Sequence, residues 1–434
     1  MTDIVKLSRI LLGLATAAGA LLCTSGGRTV AAEPPLNNFC RTSAPSAERI
    51  AAVSGEAPGA LLLRQRCTVC HSLDRVLVRE VDGPEKWART LKKMRAYGAP
   101  LNDEETGVLQ AFLAGLPSKP AAAKDFTRAG HFRRGLVWTA NEVGRSISGL
   151  DVQLGKEVCT ISGFANPHNI TLSTEGARVF VTDTGTEEVL VFGTDDGHLI
   201  GRFKAGKNPM HVFVTPNEDR LLITNANSNE VTVHDYGTFE VLARLPVGDM
   251  PHGLTITPDS RWCYASGQLA DDVTILDLNL LKVKGHIKVG RAPVAPAADG
   301  RNRFVAVAAL RDGQVVKIDA VTQKVVGRVK VDGLPGQVAV SPDGYYIFSG
   351  NQVTNTLTVI DAKTMKILKV LEVGRWAHGL GFAVNGRSLL ITNEEDSTVS
   401  VVDLHDLEIT KTIPTGLGPN GIAAAYPLIL TPHW

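Results

Sequence analysis

Beyond Gly135 the chain is a succession of short stretches in which polar and apolar residues alternate. "VTVHD" (231–235) and "LTVID" (357–361) carry the two-residue period of β-strands, and apolar runs such as "LLITN" stand between them. Ahead of this region the pattern is helical. Pro84 opens a segment that Gly98 and Pro100 close, which predicts one helix. Asn102, with Glu105 three residues later, has the form of a capping box, and Val108, Leu109, Phe112 and Leu113 then make one apolar face of a second helix. Between the two regions "LPSKPAAAKD" (116–125) supports no periodic pattern, and its prolines and small residues read as an extended linker.

The N-terminal pattern is different again. Lys6 and Arg9 precede the apolar run "ILLGLATAAGALLC", and small residues follow at Val30, Ala31 and Ala32. This is the plan of a secretory signal peptide cleaved after Ala32. The run falls short of the ~20 apolar residues of a spanning helix, so the expectation is a periplasmic protein with no membrane span in the mature chain. The expected divisions are a signal peptide over 1–32, a small all-α domain over 33–116, a linker over 117–134 and an all-β domain over 135–434. The fold class is α + β multidomain.

The all-β region repeats. The signatures "NPHNITLS", "NPMHVFVT", "MPHGLTIT", "APVAPAAD", "LPGQVAVS", "WAHGLGFA" and "GPNGIAAA" have as second residues Pro167, Pro209, Pro251, Pro293, Pro335, Ala377 and Pro419, each 42 after the one before. A period of this length is a four-stranded propeller blade. Six full units run from 167 to 418. The seventh signature has one strand after it, and residues 135–163 supply the other three, so seven blades close into a ring with shared terminal strands. Other positions keep the phase. Asp151, Gly193, Asp235, Asp277, Asp319, Asp361 and Asp403 precede the marks by sixteen residues, and Asp183, Asn225, Gly267, Ala309, Asn351 and Asn393 follow them by sixteen, with Asn141 one period earlier. Both sets read as turn residues whose side chains bond nearby backbone amides.

Charge adds an exclusion. The chain has 45 basic and 44 acidic residues; removal of 1–32 leaves 45 − 3 = 42 and 44 − 1 = 43, a balance with no basic field for nucleic acid. Five cysteines then remain. Cys67 and Cys70 stand in "CTVCH", and among Cys40, Cys159 and Cys263 one disulfide is expected at most, its pairing open.

"CTVCH" is the attachment motif of one covalent haem c. Cys67 and Cys70 form the thioethers and His71 becomes an axial ligand of the iron. Met94, 23 residues after His71, is the expected second axial ligand, a pairing that raises the reduction potential. With the "RTLKKMRAYGAPL" helix end, these residues resemble class I cytochrome c over roughly 55–116. "LLITNANSNEVTVHD" and "LLITNEEDSTVSVVD" look like YVTN-type propeller repeats over 135–425. Together the two parts resemble the periplasmic oxidoreductases that join a cytochrome c to a propeller, such as the nitrite reductases that hold a d-type haem. Those have eight blades and a longer chain.

The residue after each mark is His168, Met210, His252, Val294, Gly336, His378 and Asn420. It opens the strand that lines a propeller's central channel, so His168, Met210, His252 and His378 are expected to form a second site at the hub. His211 falls one residue later and is counted with them as a hub candidate, although side chains alternate in direction along a strand. Imidazole with thioether favours copper over hard cations, and a second haem is the other candidate. Nitrous oxide reductase resembles this plan in binding copper through histidines at a seven-bladed hub, though its full histidine set is absent here. Lys207, Arg291 and Arg375, two residues before their marks, are expected to draw in a small anion or an acidic partner. No serine, cysteine or carboxylate constellation suggests hydrolysis, and no catalytic residue is assigned. The expected function is a periplasmic electron-transfer oxidoreductase, with a dehydrogenase, cytochrome or cupredoxin as redox partner. The alternative is a non-catalytic propeller that docks a dehydrogenase or carries a cofactor.

Overall fold

The computed structural model describes residues 57–66, 84–96, 99–116, 126–383 and 385–424. Among the described residues three helices come first: α1 (Pro58–Arg66), α2 (Pro84–Ala96) and α3 (Asp103–Ala114). Leu63, Trp87, Leu91, Leu109 and Leu113 are buried in a small core between them. The capping box at α3 is complete: Asn102 accepts from Glu105 N at 2.8 Å, and Glu105 accepts from Asn102 N at 3.0 Å. The apolar face of α3 is narrower than expected. Leu109 and Leu113 are buried, Phe112 is half-buried against them, and Val108 is exposed.

The rest is a seven-bladed propeller. Six sheets have four antiparallel strands each, and their first strands begin at the repeat marks: β5 (Pro167–Leu172), β9 (Pro209–Val214), β13 (Pro251–Ile256), β17 (Pro293–Ala298), β21 (Pro335–Val340) and β25 (Ala377–Phe382). In the seventh sheet β29 (Pro419–Ala424) pairs with β2 (Val137–Asn141), followed by β3 (Ser146–Asp151) and β4 (Lys156–Ser162). The blade count and the shared closing blade are those the period implies. The linker is shorter than 117–134, because β1 (Thr127–Gly130) adds a fifth, outermost strand to the closing sheet.

First strands lie at one edge of every sheet and pack on one another in a closed ring, which puts that edge at the axis. Second and third strands are covered on both faces by neighbouring blades. They therefore read as apolar runs, such as Val179, Phe180, Val181 and Val189, Leu190, Val191, Phe192, all buried. Fourth strands sit at the rim and alternate in and out, as Leu199–Lys204 does. Each apolar cluster joins two blades: Phe180, Val189 and Val191 of one pack on Val212, Leu221 and Ile223 of the next.

The phased polar residues divide into two kinds. Asp235, Asp277, Asp319 and Asp403 each accept two backbone N–H groups of the turn that follows, and Asp151 and Asp361 accept one. Of the second set Asp183 accepts from Ala165 N at 2.7 Å and Asn166 N at 2.9 Å as well as from Gly185 N and Thr186 N of its own turn, and Asn225 donates to the Ile223 carbonyl at 3.2 Å. The asparagines also donate to hydroxyls of the third strand: Asn141 to Ser146 and Ser148, Asn351 to Thr356 and Thr358, Asn393 to Thr398 and Ser400. They pin strand to strand inside a blade.

Candidate functional site

Each first strand reaches the axis through a β-bulge. In the second blade Pro209 pairs with Asn225 and Val212 with Ile223, so Met210 and His211 together oppose Thr224. The first blade has its register shift between Pro167 and Asn169, and the third between Pro251 and Leu254. Two residues against one interrupt the alternation of sides and re-aim side chains. His211 consequently joins His168 and His252. Met210 turns away and packs with Ala226 and Met250.

The bulge N–H loses its ladder partner, and a hydroxyl on the second strand replaces it. Thr182 accepts from Asn169 N at 3.0 Å, Thr224 from His211 N at 3.0 Å, Ser266 from Gly253 N at 3.2 Å and Thr392 from Gly379 N at 2.6 Å. The same hydroxyls donate across to the next blade, to the carbonyls of Met210, His252, Val294 and Asn420 respectively. Ala140, Ala308 and Gly350 hold this position in the other three blades. The four blades with the hydroxyl are those whose bulge carries a histidine.

His168, His211 and His252 come together from three consecutive blades. Their rings lie 4.8–5.8 Å apart between centroids, tilted or edge-on. All three are buried, and one ring nitrogen from each can be chosen so that the three lie within 4.8 Å of one another. His378 is buried too, but it stands outside this group with Nδ1 3.4 Å from the carbonyl oxygen of Asn420. His168 Nδ1 lies 3.3 Å from Oε1 of Glu142, to which Asn166 Nδ2 also donates at 3.3 Å. Glu142 is the residue the repeat phase did not single out. Its signal was present, since Glu394 stands six periods later (394 − 142 = 252) and both follow a second strand.

Two of the three phased cations are engaged within their own blades. Arg291 Nε is 2.6 Å from Asp312 Oδ1 and Arg375 Nε is 2.6 Å from Asp396 Oδ1, and each aspartate also accepts the same arginine's backbone N–H. This pairing neutralises the charge that an incoming anion would meet.

Of the expected haem residues, Cys67, Cys70 and His71 lie outside the described residues, as do Cys40 and the signal segment. Met94 is described: half-buried near the end of α2, it packs on the helical core. Cys159 and Cys263 are free and buried in different blades. Burial pushes the Cys159 thiol up to about 12 and that of Cys263 higher still. The helix that carries Met94 rests on the propeller face near the histidines. Arg89 Nη2 donates to Ala226 O at 2.6 Å and Asn229 Oδ1 at 3.1 Å, and Asp249 lies 3.4 Å from Arg89 and 3.3 Å from Lys92. Ala226 is the residue on which Met210 packs. No described helix is long and apolar enough to cross a membrane.

Comparison with known proteins agrees with the ring. The YNCE-like beta-propeller family matches residues 197–427, more than half of the chain. The chain belongs to that family. No curated protein matches the sequence. Among solved structures, this YNCE-like propeller is similar to Kuenenia stuttgartiensis hydrazine synthase, with TM-score 0.56 and 20% identity over 60% of this chain and 90% of that one. It is also similar to the dihydro-heme d1 dehydrogenase NirN in complex with DHE, with TM-score 0.52 and 19% identity over 84% and 98% of the two chains. A functionally unknown protein from Desulfotomaculum acetoxidans superposes with TM-score 0.61 at 14% identity, over 68% and 99%. At these identities the likeness is one of fold.

Proposed function

We propose that this YNCE-like propeller is a periplasmic electron-transfer oxidoreductase, in which a c-type haem domain serves a histidine-lined metal or cofactor site at the hub. The observation that carries the reading is a juxtaposition. Three buried imidazoles converge at the axis, and α2, the helix of the expected axial ligand Met94, is fastened by Arg89 to the second and third blades, which supply two of those imidazoles. Similarity to hydrazine synthase and to a dihydro-heme d1 dehydrogenase supports a redox role for a propeller of this shape.

Cys67 and Cys70 would hold haem c covalently, with His71 and Met94 as axial ligands; when bound, the group supplies one-electron exchange with a partner protein. Met94 fits that role in being half-buried against an apolar core, a setting in which a thioether stabilises the reduced iron. The propeller's own contribution is positional. Bulges turn His168, His211 and His252 inward, hydroxyl clasps hold their backbones, and Arg89 keeps the helical domain on the same face.

The test is an optical spectrum with metal content on protein matured in a haem-attaching host. The reading requires one covalent haem per chain and loss of the iron–sulfur charge-transfer band with a lowered potential in Met94→Ala. A chain that matures without haem, or a haem protein whose spectrum and potential ignore Met94→Ala, refutes it in whole or in its ligand assignment.

A further inference from the structure

The hub histidines differ from ordinary aromatic packing in one respect: one of them has a carboxylate on one nitrogen and nothing on the other. His168 is 2% exposed, Nδ1 faces Glu142, and Nε2 has no hydrogen-bond partner among the described residues. A buried imidazole nitrogen left so is costly unless something else takes its lone pair. Glu142 is itself 7% exposed, and Asn166, which bonds it, is anchored by a 2.6 Å donation to Thr184 Oγ1. With Nδ1–H donating to the carboxyl group, the Nε2 lone pair is the one left for a ligand.

From this we infer that His168, His211 and His252 form a mononuclear site for one borderline divalent cation of the zinc–copper class, with Glu142 as its positioning residue. The inference rests on the hub site proposed above and narrows it from a metal or cofactor to an ion. Three points separated by no more than 4.8 Å can all lie within 4.8/√3, about 2.8 Å, of a common centre. Imidazole binds zinc at about 2.0–2.1 Å, so each ring has to close by about 0.7 Å, within the reach of side-chain rotation. The donors are three neutral nitrogens with no oxygen among them, which disfavours calcium and magnesium and suits zinc or copper(II). Met210, whose thioether would have argued for copper(I), packs elsewhere. Glu142 faces a ligating imidazole from a buried position, as the outer partner of a metal-bound histidine does. Three protein ligands also leave a coordination position for a small ligand, the arrangement of reactive rather than purely structural sites.

The experiment uses the full-length protein, stripped with a chelator and titrated separately with Zn²⁺, Cu²⁺ and Mg²⁺, with haem measured in the same samples. We expect one equivalent of zinc or copper beyond haem iron and no magnesium. His211→Ala should lose the equivalent, whereas Met210→Leu and His378→Ala should keep it. Glu142→Gln should weaken binding by about 10–100-fold, the usual effect of removing the partner of a ligating histidine. X-ray absorption on the zinc-loaded wild type, which needs no variant to fold, should show imidazole nitrogens alone from the protein. Failure of the wild type to retain a second ion, retention by a folded His211→Ala, or an unchanged affinity in Glu142→Gln overturns the assignment of site, ligands or positioning residue respectively. Haem without a second ion sinks this inference and spares the electron-transfer reading; a second ion without haem does the reverse.

Discussion

Thr224→Val tests whether the hydroxyl clasps position the hub. The substitution preserves shape and removes one oxygen. That oxygen accepts the bulge N–H of His211 at 3.0 Å and donates to the carbonyl of His252, with Thr224 itself fully buried. Valine leaves both backbone groups in the interior without this partner, at ~1–3 kcal/mol each, offset by ~0.8 kcal/mol for the added buried methyl. The expected loss is ~1–5 kcal/mol, and a fall in Tm of roughly 2–8 °C if the ring melts as one unit. Equilibrium urea unfolding followed by circular dichroism measures it. Thr224→Ser keeps the oxygen and should lose less than ~1.5 kcal/mol, the usual scale for one methyl group from a core. The two variants therefore separate the hydrogen bonds from the packing. Equal stability of Thr224→Val and wild type would refute the clasp. So would equal losses in the two variants, which would mean that volume alone matters at this position.

Three further outcomes follow from the structure. Deleting residues 416–434 removes β29, the partner of β2, and should cause aggregation or loss of a single cooperative melt; a soluble truncation with unchanged Tm would contradict the closing blade. Cys159 and Cys263 should resist a thiol reagent in the native state at about pH 8 and react on unfolding, because burial holds both thiols protonated; prompt native labelling of either would be inconsistent with their placement. The turn aspartates Asp235, Asp319, Asp361 and Asp403 are held below the ordinary carboxylate value, chiefly by backbone N–H bonds of their turns. A depressed folded-state value means that their contribution is complete above the ordinary aspartate value and is lost as pH falls through the folded one. The urea midpoint should therefore hold from about pH 7 to 5 and decline below about pH 4; a midpoint flat down to about pH 2.5 counts against it.

The architecture was legible because propellers are periodic and the period was undisturbed: from Pro167 to Pro419 every blade keeps its 42 residues, so blade number and closure follow from counting. The site was legible only in part. Strict alternation puts Met210 and His211 on opposite sides without saying which of the two joins the other histidines, because a bulge is a two-against-one pairing that the strand's own sequence does not display. The trace it leaves lies on the neighbouring strand, in Thr182, Thr224, Ser266 and Thr392, each fifteen residues past a mark. The asparagines after the second strands were read as local turn formers, yet their partners are hydroxyls seven or fewer residues away across a hairpin, a tertiary preference that local propensity does not report. Arg291 and Arg375 looked like free charge because their aspartates sit 21 residues on, in the same blade but outside any local window.

The closing blade also sets an order of events. Val137 and Ala424 pair across 424 − 137 = 287 residues, whereas neighbouring blades follow one another every 42. Loop-closure entropy grows as (3/2)RT ln n, so this last junction costs about 1.7 kcal/mol more than joining points one period apart. The penalty is small beside the strand it adds, but it is met late, after six blades have stacked on one another like units of a linear repeat. Until then β2 waits as an unpaired edge at the start of the propeller. A ring of this kind is therefore exposed to mispairing for as long as β29 is delayed.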